Sequence, residues 1–423
     1  MANPTQNSVQ QGLRENWRQF TLLVIINAFV GGMVGMERSI LPQLAEVEFG
    51  IAAKTAILSF IVAFGTVKAF ANLLTGPLAG RIGRKKLLLL GWALGIPVPF
   101  MLIYAPSWEW VIAANMLLGA HQGLAWSATV IMKVDLSGER NRGLAMGLNE
   151  FAGYLAVAIA AFFTGWVASE YGLRPYPFYL GIGLSVTGFL ATLFLVRDTH
   201  AHVAAEAVSS KVPRLKQVLF DTTWRHHNLS AVTVTGLVNN LNDGMVWGLL
   251  PLILVQKGFS LTQTGILAAV YPAVWGIGQL LSGRLSDLVC KKDMLFWGML
   301  AQGMALIGLA FAESFAAFTA LLVFLGWGTA MVYPTFLASI AENTHPLDRA
   351  KSLGVFRFWR DMGYAIGALL TGILADAFGF RTSIIAVGIL TFVAGFWADY
   401  RMRCRTDHPG LWRWIVGFRL TFK

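Results

Sequence analysis

Gly76-Pro-Leu-Ala-Gly-Arg-Ile-Gly-Arg-Lys-Lys86 closes an apolar stretch with glycines and cations, and Gly283-Arg-Leu-Ser-Asp-Leu-Val-Cys-Lys-Lys-Asp293 does so again 207 residues later. The same shift, without a gap, lays Leu118-Gly119 on Leu325-Gly326, Arg142 on Arg349 and Gly147 on Gly354. Further along it lays Thr164-Gly165 on Thr371-Gly372, and Gly172 and Arg174 on Gly379 and Arg381. One register that holds small residues and charges over so long a stretch reads as an internal duplication, which fixes architecture before any other signal. Two halves that start on the same side of a membrane form a parallel repeat about an axis along the membrane normal, with solute sites between them.

Composition places that duplication in lipid. Of 423 residues, 56% are hydrophobic and 13% charged, against roughly 25% charged in an ordinary soluble domain. The mean hydropathy is +0.60, more apolar surface than one aqueous core can hide. A spanning helix takes about 20 mainly apolar residues, and twelve such stretches are present: 20–42, 54–80, 87–105, 110–133, 143–168 and 176–196, then 229–255, 262–285, 294–312, 316–340, 352–375 and 381–400. The expected fold is therefore an all-α membrane protein with twelve transmembrane helices in two pseudo-symmetric six-helix bundles, 20–196 and 229–400. A polar N-terminus (1–19), a central loop (197–228) and a Trp- and Arg-rich interfacial tail (401–423) complete the chain.

The net charge of +11 reads as topology. Most Lys and Arg lie in the termini and in the loops on their side, whereas the opposite loops carry Lys54, Arg174, Lys257 and Arg381. Basic loops stay in the cytoplasm, so both termini are expected there, in a cell (inner) membrane, with anionic lipid and not nucleic acid as the partner of the excess charge. The first apolar run is too long for a signal-peptide core and is expected to be retained. Cys290 and Cys404 fall on the cytoplasmic side with no metal-type spacing and are expected to be reduced thiols.

The segment Gly76 to Lys86 resembles the loop between helices 2 and 3 of the major facilitator superfamily, and Gly283 to Lys292 resembles its copy in the second half. The resemblance covers nearly the whole chain and implies that fold, with alternating access to a central site. It also implies an inward gate at Gly80, Arg84, Asp287 and Lys291. The family's acidic residue, which bonds the start of helix 11, is replaced by Gly80 in the first copy and kept as Asp287 in the second. The Arg that the family often carries before a helix-4 Gln-Gly pair is absent: Gln122-Gly123 is preceded by Gly119. The Gly-Pro stretch of helix 5 in drug:proton antiporters is missing at Gly153-Tyr-Leu-Ala-Val-Ala, which weighs against multidrug export.

Charges at membrane depth cost about 2.5 to 3.5 kcal/mol each on insertion scales and are seldom idle. The spans hold Glu37 and Arg38, Lys68, Glu150, Asp243, and Arg357, Arg360 and Asp361. Lys68 and Asp243 lie near mid-depth, as does His121, the one histidine inside a span. The expected solute contacts are Lys68, Arg357, Arg360, Asp243 and His121. Coupling falls to Glu150, Asp243 or His121, and further gating to Lys68 with Asp361 and to Glu37 with Arg38. If helix 2 packs on helix 11, Lys68 and Asp361 pair between the halves, while Arg357 and Asp361, spaced i,i+4, can pair within one helix. Aromatic residues Trp126, Tyr154, Tyr271, Trp275 and Tyr333 are candidate lining.

No P-loop, HExxH, GxSxG or CxxC is present, so ATP-driven transport and familiar hydrolytic or redox chemistry have no support. No cofactor or metal is expected, and the chain is expected to act as a monomer. The reading is a secondary active transporter of a small polar, anionic solute, coupled to protons or another ion. The alternatives are an exporter of drug-like or cationic or metal solutes, and a receptor or scaffold with the same fold.

Overall fold

The computed structural model describes residues 11–404, apart from 39, 52–58, 139–140 and 260. The interfacial tail therefore lies outside the described residues beyond Cys404. Buried in lipid, a backbone must satisfy its hydrogen bonds within each segment, and the described chain is almost entirely helical with no strand among the described residues. The first half comprises α1 (Trp17–Arg38), α2 (Ser59–Ile82), α3 (Arg84–Ile103), α4 (Trp108–Ser137), α5 (Arg142–Tyr171) and α6 (Tyr179–Leu195). The second comprises α7 (His227–Gln256), α8 (Leu261–Ser286), α9 (Lys291–Leu309) and α10 (Phe315–Glu342). The run Pro346–Arg401 is broken at Gly379, whose φ of 82° is not helical, into α11 (346–378) and α12 (380–401). A short linker helix, His200–Ser209, connects the halves. Seven stretches in the described chain are long and apolar enough to cross a membrane, and α2, α3 and α5 are among them.

The halves meet along two helix crossings, α2 on α11 and α5 on α8, with α5 also touching α10. Both crossings are tight because glycine lines them. A Cβ on Gly354 would lie 2.6 Å from the Asn72 carbonyl oxygen, and one on Gly147 would lie 2.4 Å from that of Gln279. These contacts are related by the 207-residue shift, as are Gly119 against the Phe64 carbonyl (2.4 Å) and Gly326 against that of Tyr271 (2.8 Å). Small residues admit this close backbone approach, which replaces a hydrophobic driving force inside a bilayer. The duplication in the sequence is thus a duplication of contacts. Gly119 also accounts for the missing helix-4 arginine, since a side chain there would collide with α2.

Cys290 and Cys404 form a disulfide with Cα atoms 5.5 Å apart, a correction to the expectation of two reduced thiols. The chain leaving α12 turns back beside the start of α9, where the Arg403 amide donates to Asn228 Oδ1 at 2.9 Å. Their separation of 114 residues concealed that proximity.

Candidate functional site

The charges inside the spans are gathered where the halves face one another. Lys68 Nζ on α2 lies 3.3 Å from Asp361 Oδ1 on α11, and the Lys68 side chain is 16% exposed against 4% for Asp361. Asp361 also faces Arg360 Nη1 at 3.2 Å and accepts from Asn72 Nδ2 at 2.6 Å, while Ser127 donates to Asn72 Oδ1 at 2.5 Å. Arg360 reaches Asp243 on α7 at 3.9 Å and stacks 4.2 Å over the Tyr333 ring. Tyr271 donates to Asp243 Oδ1. Arg357 lies 3.5 Å from Glu150 Oε1, which also accepts from Trp126 Nε1 at 3.1 Å and Asn149 Nδ2 at 2.6 Å.

Arg357 pairs across the halves with Glu150, not with Asp361 one turn away as helical spacing allowed. Asp361 is committed to Lys68 and Arg360, so neither arginine is left without a carboxylate. The asparagines of α7 divide their work. Asn240 donates to the Arg360 carbonyl at 2.8 Å, and Asn242 joins Gln302 and Thr391 inside the second half.

Sequence reasoning passed over Lys133, whose place at the edge of the fourth span looks like an ordinary loop-flanking cation. It is fully buried and donates to the Leu23 carbonyl at 3.0 Å. Lys133 thus sits inside the first half between α4 and α1, and the ion pairs where the halves face one another join three bases (Lys68, Arg357, Arg360) with three acids (Glu150, Asp243, Asp361) among the described residues. Beside these charges lies an aromatic group. Tyr154 stands 4.2 Å from Trp275, 5.6 Å from Trp126 and 6.4 Å from Tyr333, ring centre to ring centre. Glu150 Oε2, the Gln279 amide and the Trp275 indole N–H, on α5 and α8, have no hydrogen-bond partner although buried. Orphaned groups of this kind are costly in an apolar interior and call for an explanation.

His121 lies elsewhere. Its Nδ1 faces the Gly91 carbonyl at 2.9 Å, and its ring packs 4.8 Å from Trp92, between α3 and α4 inside the first half. Glu37 is buried near the far end of α1, away from the network described above; the Arg38 side chain is outside the described residues.

One face of the bundle carries the linker and both ends of the described chain, and here the halves are clasped. Asp287 accepts from the amides of Gly143 (2.7 Å) and Leu144 (3.0 Å) at the start of α5. Burial raises the Asp287 carboxyl above the ordinary aspartate value, against those amides. The equivalent clasp at Gly80 has no counterpart to hold. α11 begins at Pro346, three residues before Arg349, the equivalent of the first residue of α5, so the amides of Ala350 and Lys351 are inside the helix. Behind each loop lies a related ion pair, Arg84 with Asp135 at 3.4 Å and Lys291 with Glu342 at 2.6 Å. The same shift relates Arg142 and Arg349, and both converge on Glu206 of the linker helix. Arg349 donates to it twice, at 2.6 and 2.9 Å. Burial opposes its ionisation, but the Arg349 and Arg142 guanidinium groups outweigh this and hold the Glu206 carboxyl down at about 2. Arg214 adds a two-pronged contact to Asp348 at 2.7 Å.

The family model described as Major Facilitator Superfamily matches residues 23–234 and again 232–410. The chain is 24% identical over 410 residues to "Multidrug resistance protein MdtG" of Salmonella choleraesuis (strain SC-B67), covering 92% of this chain and 97% of that protein. The fold is similar to that of the human organic anion transporter MFSD10 (TM-score 0.74, 15% identity, 90% of this chain and 99% of that one). It is similar also to FucP in its outward conformation (TM-score 0.74, 15% identity, 91% and 98%).

Proposed function

The chain belongs to the Major Facilitator Superfamily, a family of multi-pass membrane transporters of small solutes, and on that footing we propose that it moves an organic anion by alternating access, coupled to protons. The observation that carries this reading is the balanced ion network where the halves face one another, with Lys68–Asp361 and Arg357–Glu150 as pairs that span the two. An anionic group entering the network competes with Asp361 or Glu150 for its cation, and a proton taken up by the displaced carboxylate restores neutrality. The unpartnered Glu150 Oε2, Gln279 amide and Trp275 indole N–H supply polar contacts for the rest of the solute.

The aromatic residues Tyr154, Trp275, Trp126 and Tyr333 favour a solute with a flat or apolar body. They also support a second reading, export of drug-like molecules, in line with the printed name of the Salmonella relative. The basic loops favour a cytoplasmic position for the linker face in a cell membrane.

The test is flux into proteoliposomes from a panel of organic anions, cations and neutral sugars, with and without an imposed proton gradient. Expected is anion flux that responds to the gradient and is lost in Lys68→Ala and Glu150→Gln, while the purified variants still melt cooperatively. Flux confined to cations, or unaffected by both substitutions, overturns the assignment.

A further inference from the structure

A cavity of about 480 Å³ opens on the linker face between the end of α2, the linker helix and the start of α11. Its lining includes Gly80, Arg81, Arg84, His200 and Lys351 and no acidic residue. Arg81, His200 and Lys351 are exposed, and among the described residues no carboxylate forms an ion pair with Arg81 or Lys351. Arg84 is buried behind them and already held by Asp135.

The duplication gives this cavity an internal control. Gly80, Arg81 and Lys351 correspond under the 207-residue shift to Asp287, Leu288 and Leu144. In the other half, therefore, the carboxylate is supplied by the chain itself, with Leu288 and Leu144 at the positions of Arg81 and Lys351 and with Arg284 and Lys291 near it. Here the acid is missing, a Cβ at Gly80 would meet nothing within 4 Å, and two cations stand where leucines do. Three related positions thus go from a formal charge of −1 to +2.

We infer that this cavity binds a phosphate ester, through Arg81 of the first half and Lys351 of the second, with His200 of the linker helix at its rim. Cations approaching from separate elements match the tetrahedral oxygens of a phosphate ester better than the single plane of a carboxylate, and the volume is that of a ligand site, not of a lone ion. Because Arg81 and Lys351 come from opposite halves, the site is complete only while α2 and α11 are closed together on this face, so its occupant favours that state. The same chemistry comes from a phospholipid headgroup at the membrane surface or from a soluble metabolite.

The experiment is a binding titration of the purified full-length protein, followed by its thermal transition, in a neutral detergent. One arm uses glycerol 3-phosphate; the other uses short-chain phosphatidylglycerol, with phosphatidylcholine, whose phosphate is balanced by its own quaternary ammonium, as the net-neutral comparison. Saturable stabilisation is expected in at least one arm, and which arm responds identifies the source. Gly80→Asp restores the chain's own carboxylate in open space, and it should weaken binding about tenfold or more. Gly80→Ser, polar but neutral, should bind as the wild type does, and Arg81→Ala with Lys351→Ala should abolish binding. No saturable response in either arm, or Gly80→Asp binding as tightly as Gly80→Ser, overturns the inference.

Discussion

Replacing Glu206 by Gln should release the linker face. The carboxyl is held at about 2 instead of its ordinary 4.5, which corresponds to about 3 kcal/mol in favour of the clasped state at about 1.4 kcal/mol for each tenfold change. The side chain is only 15% exposed, so solvent screening removes little of this. Glutamine keeps the shape and two polar groups but leaves Arg142 and Arg349 without a shared counter-charge, a loss of the kind that is severe for buried pairs. The ratio of closed to open molecules should fall on the order of a hundredfold. Spin labels at Lys86 and Arg284, both exposed, in a Cys290→Ser, Cys404→Ser background, report the separation of the halves on this face. The wild type should give one short distance and Glu206→Gln a second, longer one. The sign of the pH effect follows from a depressed carboxylate: the clasp is fully present above about 4.5 and fades as pH falls toward about 2. An unchanged distance in Glu206→Gln, or a clasp that instead weakens as pH rises from 5 to 7, would refute the reasoning.

Three further outcomes follow from the geometry. Asp361 serves both Lys68 and Arg360, so Asp361→Asn should lower stability by about 3 to 5 kcal/mol and Lys68→Met by clearly less; thermal melting showing the reverse order would contradict the pairing. Gly354→Val introduces atoms where a Cβ already sits 2.6 Å from the Asn72 carbonyl. The variant should lengthen the Lys86–Arg284 label distance while its helical circular dichroism stays unchanged, and a wild-type distance would count against the crossing as the seat of closure. His121→Gln should cost about 1 kcal/mol of stability without altering the proton dependence of flux, because the ring packs inside the first half; a shifted pH profile would return His121 to the coupling machinery.

What the sequence made readable is what steric necessity writes into it. Gly147, Gly354, Gly119 and Gly326 are glycine because a backbone oxygen stands within 3 Å of each missing Cβ, so the duplication and its crossings can be traced residue by residue. The charged positions in the spans were equally visible, since lipid tolerates so few, and the packing of helix 2 on helix 11 implied by the family resemblance gave the approach of Lys68 to Asp361. Direction around a helix was not visible. His121 is at the right depth on the wrong side, and Arg357 faces Glu150 although Asp361 shares its helix. Lys133 and Glu206 escaped because their neighbourhoods, the edge of a span and an alanine-rich linker, look like water; their partners lie over a hundred residues away for Lys133 and, in Arg142 and Arg349, 64 and 143 residues away for Glu206. The reason Gly80 can be glycine lies in where α11 starts, a feature of helix length that no motif records.

The two copies agree at every glycine crossing named above and part company at their centre, where Lys68, Glu150, Gly153 and Tyr154 answer to Trp275, Arg357, Arg360 and Asp361. On the proposed function, the contacts on which the halves rock and the residues that meet the solute therefore lie at different positions. A single substitution at a central position changes one copy alone and leaves both rocking surfaces as they were, so this scaffold can drift toward a new passenger without relearning how to move.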